Sequence, residues 1–328
     1  NASVPDLPHP PSDGEPVFAA GQQDVWTRLH PWDSLPQLLN PRGGYLQNAN
    51  DPPYYTNLNE PLRPEDFPAN FPEPRLRLRS QLSLELVHND HVFSLEDVVE
   101  LKHSMRMLLA DRVKDDLLRI LREEELSEET ARAVQRLEDW DNQAARDRRG
   151  AALFHLWASR YSTLTDSDEE YRVPWSPDDP TGTPRGLGSE AAASAAFHWA
   201  LAEAESRFGS WDVTWGEAHR IRAGALDLPV GGCPSDLGCF RVIGYAVDED
   251  GRYRARRGDA WVLAVEFGET PRAYSVLLYG NSNQEESPWF YNQARMFANN
   301  RMKTVAYSET DISNDLVERY RPGQNRKD

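Results

Sequence analysis

Two of the three asparagines in residues 40–51 are the side chains of this sequence whose type and spacing best suit chemistry. The segment is Asn-Pro-Arg-Gly-Gly-Tyr-Leu-Gln-Asn-Ala-Asn-Asp. It predicts an extended run, in which side-chain alternation places Asn48 and Asn50 on the same face. A carboxamide NH₂ on that face is a good donor to an oxyanion that develops during a reaction. The alternative is an ordinary turn, because asparagine beside Asp51 and two prolines is also typical of turns, and the residues taken alone favour the turn.

The residue types that usually act as nucleophiles or metal ligands form no recognisable motif in this sequence. The sequence has no Gly-x-Ser-x-Gly and no Ser-x-x-Lys motif. His88 and His91 have no third ligand of the usual kind nearby, so surface or capping roles are favoured over a metal site. The acidic runs 123–125 and 166–170 lack the glycine and spaced oxygens of a calcium loop, which indicates solvated faces. Independent catalysis by this chain is therefore not expected.

The two cysteines, Cys233 and Cys239, lie six residues apart in a loop-like stretch. They predict either a small-loop disulfide, if the protein is exported, or two unpaired thiols in a turn. Two sulfurs alone are too few for a structural zinc site.

Composition limits the class of protein. With 39% hydrophobic residues, the 328-residue chain can bury a sizeable core. The net charge of −17 argues against a nucleic-acid partner, since phosphate binding depends on clustered Lys and Arg. No apolar run of eighteen residues occurs, and the first residues lack the features of a signal peptide, so no membrane span is expected.

Three regions follow one another along the chain. Residues 1–74 are a Pro/Asn-rich arm of extended segments and turns, and the arm contains too many aromatic residues for a disordered linker: Trp26, Trp32, Tyr45, Tyr54 and Tyr55. Residues 75–210 are predicted to be mainly helical, with an exposed loop at 162–188. Residues 211–328 contain predicted strands at 240–247, 260–267 and 273–279, assigned to one antiparallel sheet, and then a helix at 288–300 and a strand at 304–307.

The segment around Asn50 closely resembles the penicillin acylase family, which includes penicillin, aculeacin and acyl-homoserine-lactone acylases. In that family, Asn-Pro-x-x-Gly-Tyr-x-x-Asn-x-Asn lies in the β subunit of an N-terminal-nucleophile hydrolase. Further stretches agree in order, and together they extend the resemblance over residues 26–319: 30–36, 137–141 with 150–154, 215–222 with 227–232, and 258–261 with 279–283 and 287–293.

The resemblance implies an α+β fold that is part of an αββα sandwich, completed by other chain segments. It implies hydrolysis of an N-acyl amide (a β-lactam side chain, an acyl-homoserine lactone or a lipopeptide) through an acyl-enzyme on an N-terminal Ser. Asn1 cannot be that nucleophile and Ser3 is not terminal, so the nucleophile is expected on a preceding piece. The chain is then the C-terminal part of the β subunit, inactive alone. Asn50 aligns with the family's oxyanion-hole asparagine.

The same resemblance implies partners and a location. The expected partners are the acylase α subunit, the N-terminal part of the β subunit with its nucleophilic Ser, and a small-molecule substrate. The expected location is periplasmic or secreted, and no cofactor is expected, although some members bind calcium, for which Asp66 is a hypothetical ligand. Leu82 stands where some members have an active-site arginine, and Trp289 stands where histidine is common. The alternative is a non-catalytic scaffold or binding protein that retains the fold.

Overall fold

The computed structural model of the chain describes residues 20–22, 25, 27–68, 71–319 and 321. Asn1, Ser3 and Trp26, on which parts of the sequence interpretation rest, lie outside these residues. The α-helices are α1 (Leu78–Val87), α2 (Leu95–Lys102), α3 (Leu108–Arg122), α4 (Glu128–Asp139), α5 (Ala151–Leu164), α6 (Glu190–Phe208), α7 (Trp215–Ala218), α8 (Ala294–Ala298) and α9 (Glu309–Asn314). The strands are β1 (Tyr171–Val173), β2 (Arg185–Leu187), β3 (His219–Ala223), β4 (Leu226–Pro229), β5 (Ile243–Val247), β6 (Tyr253–Gly258), β7 (Trp261–Glu266), β8 (Arg272–Leu277) and β9 (Lys303–Thr304).

The described part of the arm runs as turns and short 3₁₀ helices, at Trp32–Ser34, Pro53–Tyr55 and Pro64–Asp66. Its polar centre is the fully buried Asn57, whose Nδ2 donates to the carbonyls of Arg42 and Tyr45. The same side chain accepts the backbone N–H groups of Asn59 and Glu60 through Oδ1. These four hydrogen bonds to one buried amide link residues 42–45 to residues 57–60.

The helical core is built around α3, α5 and α6. Helix α3 buries one apolar face, whereas α5 is buried around most of its circumference. Alanines on α6 recur at helical spacing and are buried, at positions Ala193, Ala196, Ala200 and Ala204. Small side chains on that stripe let α6 approach α5 closely. This close packing produces the most extensive helix contact of the molecule.

Much of the predicted loop at 162–188 is exposed and irregular, but short regular elements occur within that range. Helix α5 continues to Leu164, and β1 pairs antiparallel with β2. Thr183 and Leu187 are buried, and the Leu187 N–H donates to the Asp116 carboxylate on α3 at 3.1 Å. Strands of three residues are too short to produce an alternation signal, so the proline and glycine content dominated the prediction.

The predicted strands belong to two sheets, which corrects the prediction of a single antiparallel sheet. Strand β5 lies in a four-stranded sheet of order β4-β3-β6-β5, in which β3 and β6 are parallel. Strands β7 and β8 lie in a three-stranded sheet of order β7-β8-β9. The chain leaves the first sheet at Gly258, where φ is +130° and a Cβ would lie 2.2 Å from the Val242 carbonyl oxygen. Only glycine fits such an approach.

A second core joins these two sheets to α8 through buried residues that include Ile221, Ile243, Val276 and Phe297. Helix α8 is much shorter than the predicted helix at 288–300. The buried Gln293 explains the difference: its Oε1 accepts the Leu277 N–H at 2.9 Å and its Nε2 donates to Asn281 at 2.6 Å. These hydrogen bonds attach the residues before α8 to the end of β8. Those residues are therefore not helical. Among the described residues, no helix is long and apolar enough to cross a membrane.

Candidate functional site

Residues 48–51 form a turn, which is the alternative that the residues taken alone favour, and not an extended run. Asn50 has a positive φ of 69°, a conformation that asparagine tolerates. Its N–H donates to Asn48 Oδ1 at 2.8 Å, and Asn48 Nδ2 donates to the Asp51 carbonyl at 3.0 Å. The prediction that both asparagines point from one face of a strand is therefore wrong. The Asn48 side chain makes both of these hydrogen bonds within the turn, whereas the Asn50 side chain takes part in neither.

Asp51 fixes this turn to the start of α1. Its carboxylate is buried and accepts the Arg77 N–H at 2.8 Å, the Arg77 Nε at 2.6 Å and the Ser80 hydroxyl at 2.5 Å. A carboxylate at a helix N-terminus also interacts favourably with the helix dipole. The position of Asn50 is thus set by a helix 27 residues further along the chain.

Arg79 sets the direction of the Asn50 carboxamide. Arg79 Nη2 donates to Asn50 Oδ1 at 2.8 Å, and because a guanidinium can only donate, this contact assigns the oxygen to the Arg79 side. Arg79 also donates to the Ala49 carbonyl and, at 3.1 Å, to the Ser235 hydroxyl. Asn50 is exposed, and no acceptor among the described residues hydrogen-bonds its Nδ2. The NH₂ group is therefore available to an acceptor outside the described residues.

The electrostatics around Asn50 favour a negative charge. Arg77 donates to the Asn50 carbonyl at 2.9 Å, so two guanidinium groups flank the turn. Burial and then the neighbouring Arg77 lower the pKa of the Arg79 guanidinium, while Asp51 and Asp259 act in the opposite direction. A guanidinium remains charged at neutral pH despite such a shift. The arrangement can stabilise an oxyanion near Asn50 Nδ2.

A cavity of about 720 Å³ lies beside this group of residues. Arg77 and Ser235, which contact Asn50 and Arg79, form part of its wall. Much of the remaining lining is apolar and includes Leu76, Leu78, Leu109, Trp175 and Leu237. Glu170 also lines it, and burial, with the nearby Asp236 acting in the same direction, raises the pKa of that carboxyl. A pocket of this size and lining is suited to a small organic molecule.

The loop that carries Ser235 is closed by a disulfide. Cys233 and Cys239 are bonded in the structure, with their Cα atoms 5.5 Å apart, and both are fully buried. The pair encloses the residue that receives the hydrogen bond from Arg79 Nε. The disulfide thereby supports Ser235, which accepts a hydrogen bond from Arg79, and Arg79 in turn orients Asn50.

Asp66, the hypothetical calcium ligand, contacts Arg63 in the structure. Its two carboxylate oxygens accept from Arg63, at 2.7 and 3.0 Å. Within the part of the chain that the structure describes, no three His, Cys, Asp or Glu residues are grouped to hold a metal ion. His88 Nδ1 lies 2.8 Å from the Tyr45 hydroxyl, and His91 lies 3.5 Å from the Asp97 carboxylate. Both histidines thus interact with neighbouring side chains of this chain.

The sequence interpretation missed Arg79. It considered position 82 instead. The Leu82 side chain is fully buried in the helical core and cannot reach the site. Arg79, one turn earlier on α1, makes the contact instead. The available signal was the alternation of Arg75, Arg77 and Arg79 at the start of a helix, where basic side chains interact unfavourably with the helix dipole.

Comparison with known proteins decides the family. The family model described as penicillin amidase matches residues 1–314 of the chain. The chain belongs to the penicillin amidase family. It is 30% identical, over 93% of its length, to the acyl-homoserine lactone acylase PvdQ of Pseudomonas fluorescens. It is 26% identical, also over 93% of its length, to the aculeacin-A acylase of Actinoplanes utahensis.

The structure also agrees with the penicillin amidase family. The thermostable penicillin G acylase from Alcaligenes faecalis matches 98% of this chain with a TM-score of 0.50 at 16% identity, and the match covers 65% of that protein's chain. The α+β fold expected from the sequence is thus confirmed. The chain spans only 38% of the acyl-homoserine lactone acylase and 41% of the aculeacin-A acylase.

Proposed function

We propose that this chain is the C-terminal part of the β subunit of an acylase, and that the complete enzyme hydrolyses the amide bond of an N-acyl substrate. Membership of a family of amide-hydrolysing acylases supports the reaction class. The observation that carries the role of this chain is the Asn50 carboxamide, which Arg79 holds with its NH₂ directed outward. Asn50 then serves as an oxyanion-hole donor.

The nucleophile in this proposal is an N-terminal Ser on a segment outside this chain. Its hydroxyl attacks the acyl carbonyl, and its own α-amine takes the hydroxyl proton. The carbonyl oxygen becomes an oxyanion and accepts a hydrogen bond from Asn50 Nδ2. The tetrahedral intermediate collapses, the C–N bond breaks, and the leaving amine takes the proton. Water then hydrolyses the acyl-enzyme to the carboxylic acid and free Ser.

Two further segments complete the enzyme in this proposal: the acylase α subunit and the N-terminal part of the β subunit. The fraction of the relatives that this chain spans, about two fifths, leaves room for both. The two segments complete the sheets of an αββα sandwich, and this chain alone is inactive.

The proposed substrates are N-acyl amides of three kinds: acyl-homoserine lactones, lipopeptides and β-lactams with an acyl side chain. The first two kinds are suggested by the names of the two relatives. A periplasmic or secreted location completes the proposal. The Cys233–Cys239 disulfide supports it, because disulfides persist in oxidising compartments.

Hydrolysis by the complete gene product tests the proposal. The protein is purified with every segment that its gene encodes and incubated with one substrate of each kind, and the released amine is quantified. We expect turnover of at least one kind, and mass spectrometry of quenched reactions should find the acyl group on a peptide that begins with Ser. Purified, folded protein that releases no amine from any of the three would contradict the proposal and favour a non-catalytic scaffold.

A further inference from the structure

The cavity of about 720 Å³ contains polar groups that the proposed reaction does not use. One wall is a face of α5, on which His155, Ser159 and Ser162 recur at helical spacing. Apolar parts of the wall come from buried side chains such as Leu109 and Leu237. Apolar walls with a few polar groups at fixed places are typical of a ligand site.

His155 presents a hydrogen-bond acceptor to this cavity. His219 Nδ1 donates to the Trp215 carbonyl at 3.0 Å, so its Nε2 accepts from His155 Nδ1. Burial lowers the pKa of His155 to about 4, so the ring is neutral at pH 7 and Nε2 carries the lone pair. Because Nδ1 faces His219, the Nε2 edge of the ring is the one that lines the cavity. Nε2 has no hydrogen-bond partner among the described residues, although His155 is only 9% exposed, and buried polar atoms usually have one.

Glu170 supplies a negative charge to the same cavity. Its carboxylate interacts with the Ser162 hydroxyl on α5, and it forms no ion pair with a described residue. Burial raises the pKa of Glu170, and the charge of the nearby Asp236 raises it further. A cation between the two carboxylates would relieve both effects. The cavity therefore favours a positively charged ligand group near Glu170.

The spacing of these groups indicates the shape of the ligand. His155 and Ser162 are seven residues apart on α5, which is about 10 Å along the helix axis. Tyr171 and Trp175 also line the cavity, and the face of an aromatic ring attracts an ammonium group. A fitting ligand is thus elongated, with a cation at the Glu170 end, an apolar body and a hydrogen-bond donor at the His155 end.

Two arginines line the cavity as well, and their charge is largely offset. Arg77 pairs with the buried Asp51 carboxylate at 2.6 Å, and Arg75 lies 3.8 Å from the same group. Glu170 and Asp236 add two further carboxylates to the lining. With Asp51 included, two positive groups face three negative ones, so the charge around the cavity is negative and suits a cation.

We propose that this cavity binds an organic ammonium ion that has an apolar body and a second hydrogen-bond donor at its far end. The ammonium group pairs with Glu170, and the far donor bonds to His155 Nε2. Such binding needs neither an acyl substrate nor a nucleophile. The proposal therefore does not depend on the amide hydrolysis proposed above.

Calorimetric titration of the 328-residue chain with three matched probes tests the proposal. Tyramine has both an ammonium group and a phenol hydroxyl. In 2-(4-hydroxyphenyl)ethanol a hydroxyl replaces the ammonium group, and 2-phenylethylamine lacks the phenol hydroxyl. We expect tyramine to bind at least about tenfold more tightly than either of the other probes, because each of them loses one hydrogen bond to a buried or charged group.

A charge-removing variant locates the ammonium group. Glu170→Gln keeps the shape of the side chain, and we expect it to weaken tyramine binding at least about tenfold while leaving 2-(4-hydroxyphenyl)ethanol binding unchanged. The matched control is Glu169→Gln, which removes an exposed carboxylate outside the cavity lining and should leave all three affinities unchanged. Circular dichroism of each variant shows whether it is folded.

Nuclear magnetic resonance of the native chain locates the far donor without a substitution. The His155 Nε2 signal should shift when tyramine binds and should shift less with 2-phenylethylamine, which has no phenol hydroxyl. This readout keeps the proposal testable if a variant fails to fold.

The outcomes separate this proposal from the proposed function. Equal affinities of the native chain for tyramine and 2-(4-hydroxyphenyl)ethanol would overturn it, as would a folded Glu170→Gln chain that binds tyramine as tightly as the native chain. Tyramine binding that depends on Glu170, in a gene product that hydrolyses no amide, would contradict only the proposed function. Amide hydrolysis by a protein that binds none of the three probes would contradict only this proposal.

Discussion

Arg79 Nη2 lies 2.8 Å from Asn50 Oδ1, and this contact decides which end of the carboxamide faces solvent. The guanidinium has no acceptor, so it selects the oxygen and leaves the NH₂ group directed away. A residue that only orients another can be as important to a reaction as the residue that acts.

Removal of Arg79 should impair turnover by loss of orientation. We expect Arg79→Ala to lower kcat of the complete enzyme about 10- to 100-fold with a smaller change in KM, because the Asn50 amide can then rotate. Arg79→Lys should recover part of the loss, since one ammonium can still donate to Oδ1. A kcat for Arg79→Ala equal to that of the native enzyme would show that Arg79 does not position Asn50.

Asp51 should matter mainly for stability. Asp51→Asn replaces one acceptor oxygen by an NH₂ group that faces the donors of Arg77 and Ser80, and leaving buried hydrogen-bonding groups unsatisfied typically costs about 1–3 kcal/mol. The free energy of unfolding in urea measures the loss. The exposed pair of Arg63 and Glu65 supplies the control, because Glu65→Gln should change the same quantity by less than about 1 kcal/mol. Equal effects of the two substitutions would contradict the anchoring role of Asp51.

A buried histidine pair should make stability depend on pH. His219 Nδ1 donates to the Trp215 carbonyl at 3.0 Å, so its Nε2 accepts from His155 Nδ1, also at 3.0 Å. Burial lowers the pKa of His155 to about 4, and burial followed by the charge of His155 lowers that of His219 well below its usual value. Arg207, which faces the pair, lowers both pKa values further.

The sign of the pH effect follows from those shifts. The unfolded histidines bind protons near pH 6.5 and the folded ones do not, so stability is full above that pH and falls as the pH drops toward 4. Each histidine contributes up to about 1.4 kcal/mol per pH unit. Urea unfolding at pH 7.5 and 5.5 measures the difference, which His155→Gln should reduce and His91→Gln, at an exposed site, should not. A native chain equally stable at both pH values would refute this assignment.

The disulfide should contribute modestly to stability. Chain-entropy arguments assign a loop of this length about 2 kcal/mol, so the double variant Cys233→Ala and Cys239→Ala should unfold at lower urea concentration. The loop also carries Ser235, so we expect a fall in kcat of the complete enzyme beside the fall in stability. A variant of native stability and activity would show that the bond supports neither.

The helices could be predicted because their signals are local. Helices α2, α4 and α6 begin after Ser94, Ser127 and Ser189, whose side chains cap them, and apolar residues follow at helical spacing. Strand β6 could not be predicted in this way. Arg254, Arg256 and Arg257 give it a charged composition, and its place between β3 and β5 depends on pairing with distant residues.

The candidate site was predictable only in part. The resemblance to the acylase family indicated Asn50, but the conformation of its turn depends on bonds from Asp51 to α1, which sequence spacing does not reveal. Arg79 lies 29 residues from Asn50, and the hydrogen bond between them exists only because that anchor brings α1 to the turn. The chain passes from one sheet to the other at Gly258, whose close approach to Val242 is likewise not visible in the sequence.

The most direct test of the oxyanion role is the kcat of Asn50→Ala in the complete enzyme. Loss of one oxyanion donor should lower kcat about 10²- to 10³-fold, while the acyl-enzyme still forms on the N-terminal Ser. Asn314→Ala, at an exposed position on α9, is the matched control and should leave kcat unchanged. An Asn50→Ala enzyme that is folded, fully assembled and as fast as the native enzyme would contradict the account.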